Sequence, residues 1–482
     1  MNTENEKVIT RFAPSPTGFM HIGGIRTALF AYLWARKNKG LFILRIEDTD
    51  KEREVEGSIE HIEDSLKWLG LDWDYGPKKP GPFGSCIQSQ RMETYQEYAR
   101  KLIEKGYAYP DPYTKEELEK FREEAKEKKQ PFLFCNHRPD VFEDWDGKKP
   151  LRFKVPEIKR YIWQDAVRGK LEGGEEMLDD FILIKSDGYP TYNFAHIIDD
   201  YYMEITHIFR ADEFISSTPR FLSLYDALGF KHPIFVTLPP ILREDRTKKL
   251  GKRDGAKDIL EYKKEGYLPE SMINFLALIG WNPGTEQEVF SKDELITVFS
   301  LENIQKAGAI LNEDKLNWMN REHMKLLPEN IRNQEIKERL NINKCEKISE
   351  KAYQIIFDRI SKWSDIDILI GEGELDYYIN LPTYQKEHLI WKESDEEETK
   401  RHLKWAKSIL EDSIEEKFNS IEEIKSVLFD YATKNGRGQV LWPIRMALSG
   451  KEKSPDPFTL IYILGKEESI NRLQKAIEKL SL

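Results

Sequence analysis

The segment from Val8 to Leu69 constrains the chain more than any other. Val8-Ile9-Thr10-Arg11-Phe12 reads as a strand, being short, apolar and β-branched. Pro14, Pro16 and Gly18 end it. A helix is expected from about His21, through Thr27, Leu29, Phe30, Leu33 and Trp34, closing at Gly40. Leu41 to Ile46 is a second apolar strand, and it stops at Glu47-Asp48-Thr49-Asp50, where a helix can be capped. The next helix carries Ile59, Ile62, Leu66 and Leu69 at helical spacing before Gly70. Strands joined through helices imply a parallel sheet, and ligands bind such sheets beyond the carboxyl ends of the strands.

From Pro77 to Lys185 the pattern changes. A helix through Met92, Tyr95, Ala99 and Leu102 ends at Gly106, Lys115 to Lys129 reads as a solvated helix, and Pro131 to Pro150 is irregular. This block is expected to interrupt the sheet, which resumes at Phe181-Ile-Leu-Ile184 and continues with Ile205 to Phe209 and Ile234 to Leu238. Beyond Asn320 charged amphipathic runs take over at Pro328–Leu340, Glu350–Trp363, Glu396–Leu410 and Asp412–Thr433. The expected fold is an α/β N-terminal part, a Rossmann-type parallel sheet with an inserted domain, followed by an all-α C-terminal part. The boundaries read as 1–76 and 186–240 for the two halves of the sheet domain, 77–185 for the insertion, 241–320 for a connecting region and 321–482 for the helical part.

The loop Ala13-Pro-Ser-Pro-Thr-Gly-Phe-Met-His-Ile-Gly-Gly24 opens the first helix. A helix start offers unpaired N–H groups and the positive end of the dipole, which together favour phosphate. Glycines there let a nucleotide approach the backbone, and a histidine can donate to phosphate without a fixed charge. Far along the chain, Thr247-Lys-Lys-Leu-Gly-Lys-Arg-Asp-Gly-Ala256 sets Lys248, Lys249, Lys252 and Arg253 around Gly251. Lysines are mobile point charges suited to a triphosphate that gains charge in a transition state.

The 482 residues carry a net charge of −11, which argues against a protein that coats nucleic acid by bulk charge and leaves room for local basic patches. Cys86, Cys135 and Cys345 lie far apart, so no disulfide framework or cysteine-paired zinc site is legible, and a reducing cytoplasm fits. Met1 to Lys7 is polar, so export is not expected, and no apolar run is long enough to span a membrane.

Taken together, the two loops resemble the paired signatures of class I aminoacyl-tRNA synthetases. The longer words Thr10-Arg-Phe-Ala-Pro-Ser-Pro-Thr-Gly, His21-Ile-Gly-Gly-x-Arg-Thr-Ala-Leu-Phe and Leu44-Arg-Ile-Glu-Asp-Thr-Asp resemble glutamyl-tRNA synthetase. So do Lys185-Ser-Asp-Gly-Tyr-Pro-Thr-Tyr-Asn-Phe-Ala, Asp199-Asp200, Arg210-Ala-Asp-Glu-Phe and the C-terminal Gln439-Val-Leu-Trp-Pro-Ile-Arg-Met-Ala-Leu-Ser-Gly. The resemblance implies ATP-dependent ligation of L-glutamate to the 2′-hydroxyl of the terminal adenosine of tRNA-Glu through a glutamyl-adenylate, with Mg2+ accompanying ATP. Charging of tRNA-Gln as well is left open. It implies Arg11 on the substrate's side-chain carboxylate, Glu47 on its ammonium group, and Ala13, Ser15, Tyr192 and Arg210 around them. On the ATP side it implies His21, Gly23, Gly24, Glu213, Lys249 and Lys252, with His21, Lys252 and Arg253 catalytic. The insertion is then the acceptor-binding domain, the region 241–320 contacts the tRNA stem, and the helical part reads the anticodon. Lys434, Arg437, Trp442 and Arg445 suit unstacked bases, and Arg359 falls where some relatives discriminate anticodons. A family monomer is expected.

Two departures matter. Gly251 stands where the family's lysine loop has serine, which implies weaker ground-state ATP binding. The stretch Tyr107-Ala-Tyr-Pro-Asp-Pro-Tyr-Thr114 has no cysteine where many relatives bind zinc, so no structural zinc is expected. Residues 321–482 count against a shortened relative that modifies a tRNA base.

Overall fold

The opening strand, loop, helix and strand are present in the computed structural model, which describes residues 7–243, 257–392 and 394–481. They are β1 (Ile9–Phe12), α1 (Ile22–Lys37) and β2 (Leu41–Leu44). α1 is capped by His21 and ends on Arg36 and Lys37, cations that suit the negative end of the helix dipole. β1 and β2 run parallel, Ile9 opposite Leu41 and Phe12 opposite Leu44.

Then follow α2 (Ser58–Trp68), α3 (Met92–Glu104), β3 (Ala108–Pro110), α4 (Lys115–Glu127), β4 (Leu151–Phe153), β5 (Tyr161–Asp165), β6 (Gly169–Gly173) and β7 (Phe181–Ile184). After them come α5 (Tyr192–Tyr202), β8 (His207–Ala211), α6 (Thr218–Leu228) and β9 (Ile234–Leu238). The main sheet has the order β2-β1-β8-β9-β5-β6. Its first five strands are parallel, and β6 turns back antiparallel on β5.

Strand alternation divides the interior into two cores. Phe12, Phe42, Leu44, Val236 and Leu238 face α1 and α2. Ile9, Ile43, Ile208 and Phe235 face α3, α5 and α6. Thr10 points to the first side, its hydroxyl donating to Ala31 O at 2.9 Å, and its neighbour Arg11 therefore points to the second.

One expectation is corrected. Phe181–Ile184 does not resume the parallel sheet. As β7 it pairs antiparallel with β4 in a separate sheet of order β3-β4-β7. The strand that joins the main sheet from within the insertion is β5, with Asp165 opposite Phe235 and its carboxylate accepting from Thr237 Oγ1 at 2.6 Å. Pairing between distant strands leaves no local period to read, so the two apolar runs exchange places without a sequence signal.

In place of thiolates, carboxylates organise the insertion. Asp180 accepts from Tyr109 Oη at 2.8 Å, from Arg138 Nε and Nη2 at 2.7 Å each, and from Val155 N at 2.9 Å. Asp179 takes Phe134 N and Cys135 N at 2.8 Å, and Arg152 pairs with Asp111. The carboxylates of this cluster all accept hydrogen bonds, as buried acids require, while Arg152 Nε is left without a partner among the described residues. Elemental analysis of protein purified without added metal should find no stoichiometric zinc, and a chelator should leave the melting midpoint unchanged. One zinc per chain, or a chelator-induced drop, would refute this.

Beyond β9 lie β10 (Ile241–Leu242), α7 (Ile259–Lys264), α8 (Pro269–Leu278), α9 (Lys292–Val298) and β11 (Ala309–Ile310), with β10 and β11 parallel. The chain forms two compact units, Met1–Met319 and Asn320–Leu482, and the boundary falls inside α10 (Glu313–Leu326). The second unit is helical: α11 (Glu329–Ile342), α12 (Tyr353–Asp358), α13 (Asp365–Gly371), α14 (Glu396–Asp412), α15 (Ile421–Asn435), α16 (Arg437–Ser449) and α17 (Pro457–Lys479), the last interrupted at Gly465 with φ 78°. The run expected at Asp412–Thr433 starts late, at α15, because Ser420 accepts the Glu423 N–H and caps the helix there. No described helix is long and apolar enough to cross a membrane.

Candidate active site

A cavity of about 350 Å³ opens at the carboxyl ends of β1, β8 and β9. This is the point where strand order reverses, β1 leading outward to β2 on one side and β8 to β9 on the other. Adjacent loops diverge at such a point and leave a crevice. Arg11, Ala13, Ser15, Glu47, Tyr192 and Arg210 line it. His21, Gly23, Gly24 and Glu213 line the same cavity. The structure thus brings together all ten described residues expected to hold amino acid and ATP. Lys249, Lys252 and Arg253, with Lys248 and Gly251, lie outside the described residues.

Arg11 is buried at 5 % exposure. Its Nε and Nη2 donate to the two oxygens of Asp200, at 3.0 and 3.4 Å, and Nη1 donates to Phe209 O at 3.3 Å. Asp200 therefore occupies one side of the guanidinium and fixes its plane, a geometry that lysine could not reproduce. Arg45 Nη1 donates to the same carboxylate at 2.7 Å, while its Nη2 donates to Glu47 Oε1 at 3.0 Å. Two arginines and two carboxylates form one buried chain, Arg11–Asp200–Arg45–Glu47. A third carboxylate, Asp199, receives Arg91 Nε at 2.7 Å, Gln88 Nε2 at 2.9 Å and Tyr95 Oη at 2.8 Å behind it.

The two carboxylates of the chain titrate in opposite directions. Burial opposes ionisation of Asp200, but Arg11 and Arg45 outweigh it and bring its pKa down to about 2. For Glu47 burial prevails over Arg45 and Arg11, the negative Asp200 adds to it, and the pKa is raised to about 7. Burial lowers Arg210 to about 10. Its Nη2 donates to Thr218 Oγ1 at 2.7 Å and its guanidinium lies over the Phe235 ring at 4.2 Å. Tyr192 stacks on His196 at 4.5 Å, and His196 Nδ1 meets the Tyr192 carbonyl at 2.6 Å. Since a carbonyl only accepts, that nitrogen carries the proton, and burial, lowering the His196 pKa to about 3, keeps the ring neutral.

On the other wall the loop from Ala13 to Gly24 is fastened at intervals. Pro14 O accepts Glu47 N at 3.0 Å, and Pro16 O accepts Val55 N and Ser58 Oγ, each at 2.9 Å. His21 Nδ1 accepts Gly23 N at 3.1 Å, which places the neutral ring's proton on Nε2. At Gly24 a Cβ would stand 2.5 Å from Met20 Cε, so a side chain there would require the Met20 side chain to shift. Arg26, two residues on, is buried and ties α1 to the Pro239 and Ile279 carbonyls.

Arg45, Asp200 and Arg26 were not expected as site residues. Arg45 and Glu47 are two apart in extended chain and so share a face, a signal present in the sequence. That Asp200, on α5, meets them is a product of the fold alone.

In the second unit Trp442 packs on Trp391 with centroids 5.1 Å apart and donates Nε1–H to His388 O at 2.9 Å. Arg437 lies over Phe429 at 4.6 Å, Lys434 is exposed at the end of α15, and Arg445 Nη1 reaches Glu452 O at 3.4 Å. Arg359 is held by Glu374 at 2.8 Å, which also takes Lys451 at 2.7 Å.

Residues 7–318 match the family model for the class I tRNA synthetase (E and Q) catalytic domain, and residues 321–477 match an anticodon binding domain. The chain is 41 % identical to the glutamate–tRNA ligase of Clostridium kluyveri over 99 % of each chain. It is 42 % identical to that of Carboxydothermus hydrogenoformans, over 97 % of this chain and 99 % of the other. Among solved structures it is similar to a glutamate tRNA ligase from Elizabethkingia meningosepticum in complex with its amino acid, with a TM-score of 0.88 and 36 % identity over 98 % of this chain and 100 % of the other.

Proposed function

The chain belongs to the glutamate–tRNA ligases of the class I tRNA synthetases, and from that premise we propose how its cavity performs the reaction. The enzyme uses ATP to join glutamate to tRNA. Glutamate carries two carboxylates and one ammonium group. The cavity offers the reverse: the guanidiniums of Arg11 and Arg210 and the carboxylate of Glu47. That match of charges is the observation that carries the reading. Arg11, its plane set by Asp200, receives the side-chain carboxylate, and Glu47 receives the ammonium group. Glutamine's amide would set N–H against N–H at Arg11 and leave buried donors unpaired, a large penalty in a closed site.

His21, the Gly23–Gly24 backbone and the positive end of α1 hold the triphosphate, accompanied by Mg2+, with Glu213 on the nucleoside side. Lys249, Lys252 and Arg253 stabilise charge on the leaving pyrophosphate. The α-carboxylate attacks the α-phosphorus, the bond to the bridging oxygen breaks, and pyrophosphate departs from glutamyl-adenylate. The 2′-hydroxyl of the terminal adenosine of tRNA-Glu then attacks the activated carbonyl and AMP leaves. Positioning and charge stabilisation carry both steps; no enzyme nucleophile is needed. The insertion takes the acceptor end, and Lys434, Arg437, Trp442, Arg445 and Arg359 serve the anticodon side.

ATP–pyrophosphate exchange with purified tRNA-Glu should require glutamate and proceed poorly with glutamine. Equal exchange with both amino acids would overturn the assignment of Arg11.

A further inference from the structure

One side chain links two segments of the ATP wall that are far apart in sequence. His61 sits on the first turns of α2, its side chain 11 % exposed. Its Nδ1 accepts the backbone N–H of Met20, the residue before His21, at 3.3 Å. Its Nε2 lies 2.8 Å from both oxygens of Asp258. Because Nδ1 accepts, the proton of the neutral ring is on Nε2 and is shared between the two carboxylate oxygens. Asp258 in turn accepts Leu260 N at 2.9 Å and caps α7.

The backbone repeats the same junction. Ile259 N donates to Met20 O at 3.0 Å, and His21 and Asp258 form an antiparallel bridge. Phe19 covers the imidazole, stacked at 4.6 Å. His61 thus accepts the Met20 N–H and holds Asp258, the residue opposite His21.

We propose that His61 is a positioning residue for ATP, setting the register of the Met20–His21 segment against Asp258 so that the His21 ring and the start of α1 face the phosphates. It touches no substrate itself. The inference rests on the assignment of His21 to ATP.

The test is His61→Leu, which keeps the bulk and removes the ring's hydrogen bonds to Met20 and Asp258, beside Asp258→Ser, which keeps a helix-capping hydroxyl and cannot reach His61. The KM for ATP should rise about tenfold in each, with the KM for glutamate within about twofold. The double variant should be no worse than either single one, because the two residues act as a unit. An unchanged KM for ATP, a parallel rise in both KM values, or additive losses in the double variant would overturn the proposal. If His61→Leu loses its melting transition, Asp258→Ser decides alone by the same criteria. His21→Ala separates the two levels: if it leaves the KM for ATP unchanged, the underlying assignment fails, and if it raises that KM while His61→Leu does not, only the present inference fails.

Discussion

In an Asp200→Asn variant, glutamate turnover should collapse while ATP binding persists. Asp200 is the shared anion of Arg11 and Arg45, at 3.0 and 2.7 Å, and all three side chains are buried. Asparagine removes the charge, and its amide nitrogen faces a guanidinium. Breaking a buried pair by neutralising one partner costs about 3–5 kcal/mol, far more than an exposed pair is worth, because the remaining charges stay desolvated. The urea midpoint should therefore fall. With the guanidinium plane of Arg11 released, kcat/KM for glutamate should drop about 100-fold, the equivalent of one lost charged hydrogen bond. The KM for ATP should stay within about twofold, since the distant wall is fastened independently through Pro16 and Met20. Preserved stability together with an unchanged KM for glutamate would show that Asp200 does not set Arg11.

Glu47→Gln should have opposite effects on stability and on function. The pKa of Glu47 is raised from 4.5 to about 7, chiefly by burial. A raised carboxylate binds its proton more tightly in the folded state. Its contribution to stability is therefore complete below the unfolded value and is lost as pH rises through the folded one. Between those two pH values the wild type gives up on the order of 3 kcal/mol. Glutamine has no such titration, and its carbonyl can still accept from Arg45. The variant should melt higher than wild type at pH 8, with the gain vanishing toward pH 4.5. The same substitution removes the partner of the substrate ammonium, so the KM for glutamate should rise about 100-fold. Wild-type affinity should weaken about tenfold per pH unit below 7, as Glu47 takes up a proton, and the variant should lose that slope. A variant that melts lower at pH 8, or keeps the wild-type pH slope, contradicts this account.

These residues also show what a sequence discloses. β1, α1, β2 and β9 were legible because each is a short apolar run or a helical period bounded by Gly or Pro. The ten cavity residues were legible through a family resemblance carried by contiguous words, and those words sit at strand ends, where the fold needs loops. Arg45 and Asp200 escaped because their importance lies in a meeting of β2's extension with α5, and no window along the chain contains both. β5 escaped for the same reason: its place beside β9 is decided by two hydrogen-bonded edges rather than by its own pattern. The amphipathic runs of the second unit were read as helices, but Ser420 shows that one capping side chain moves a boundary by more than two turns.

The sheet order has a consequence for how the enzyme is made. β1 emerges first from the ribosome, yet its inner neighbour β8 follows almost two hundred residues later, Ile9 N bonding Thr206 Oγ1 across a separation of 197. The cavity lies in that seam, so neither Arg11 nor His21 can be set before the insertion has been synthesised and set aside. Closing so long a loop costs entropy before any contact repays it. Until β8 and β9 arrive, β1 and β2 remain an unfinished edge, open to pairing with another chain.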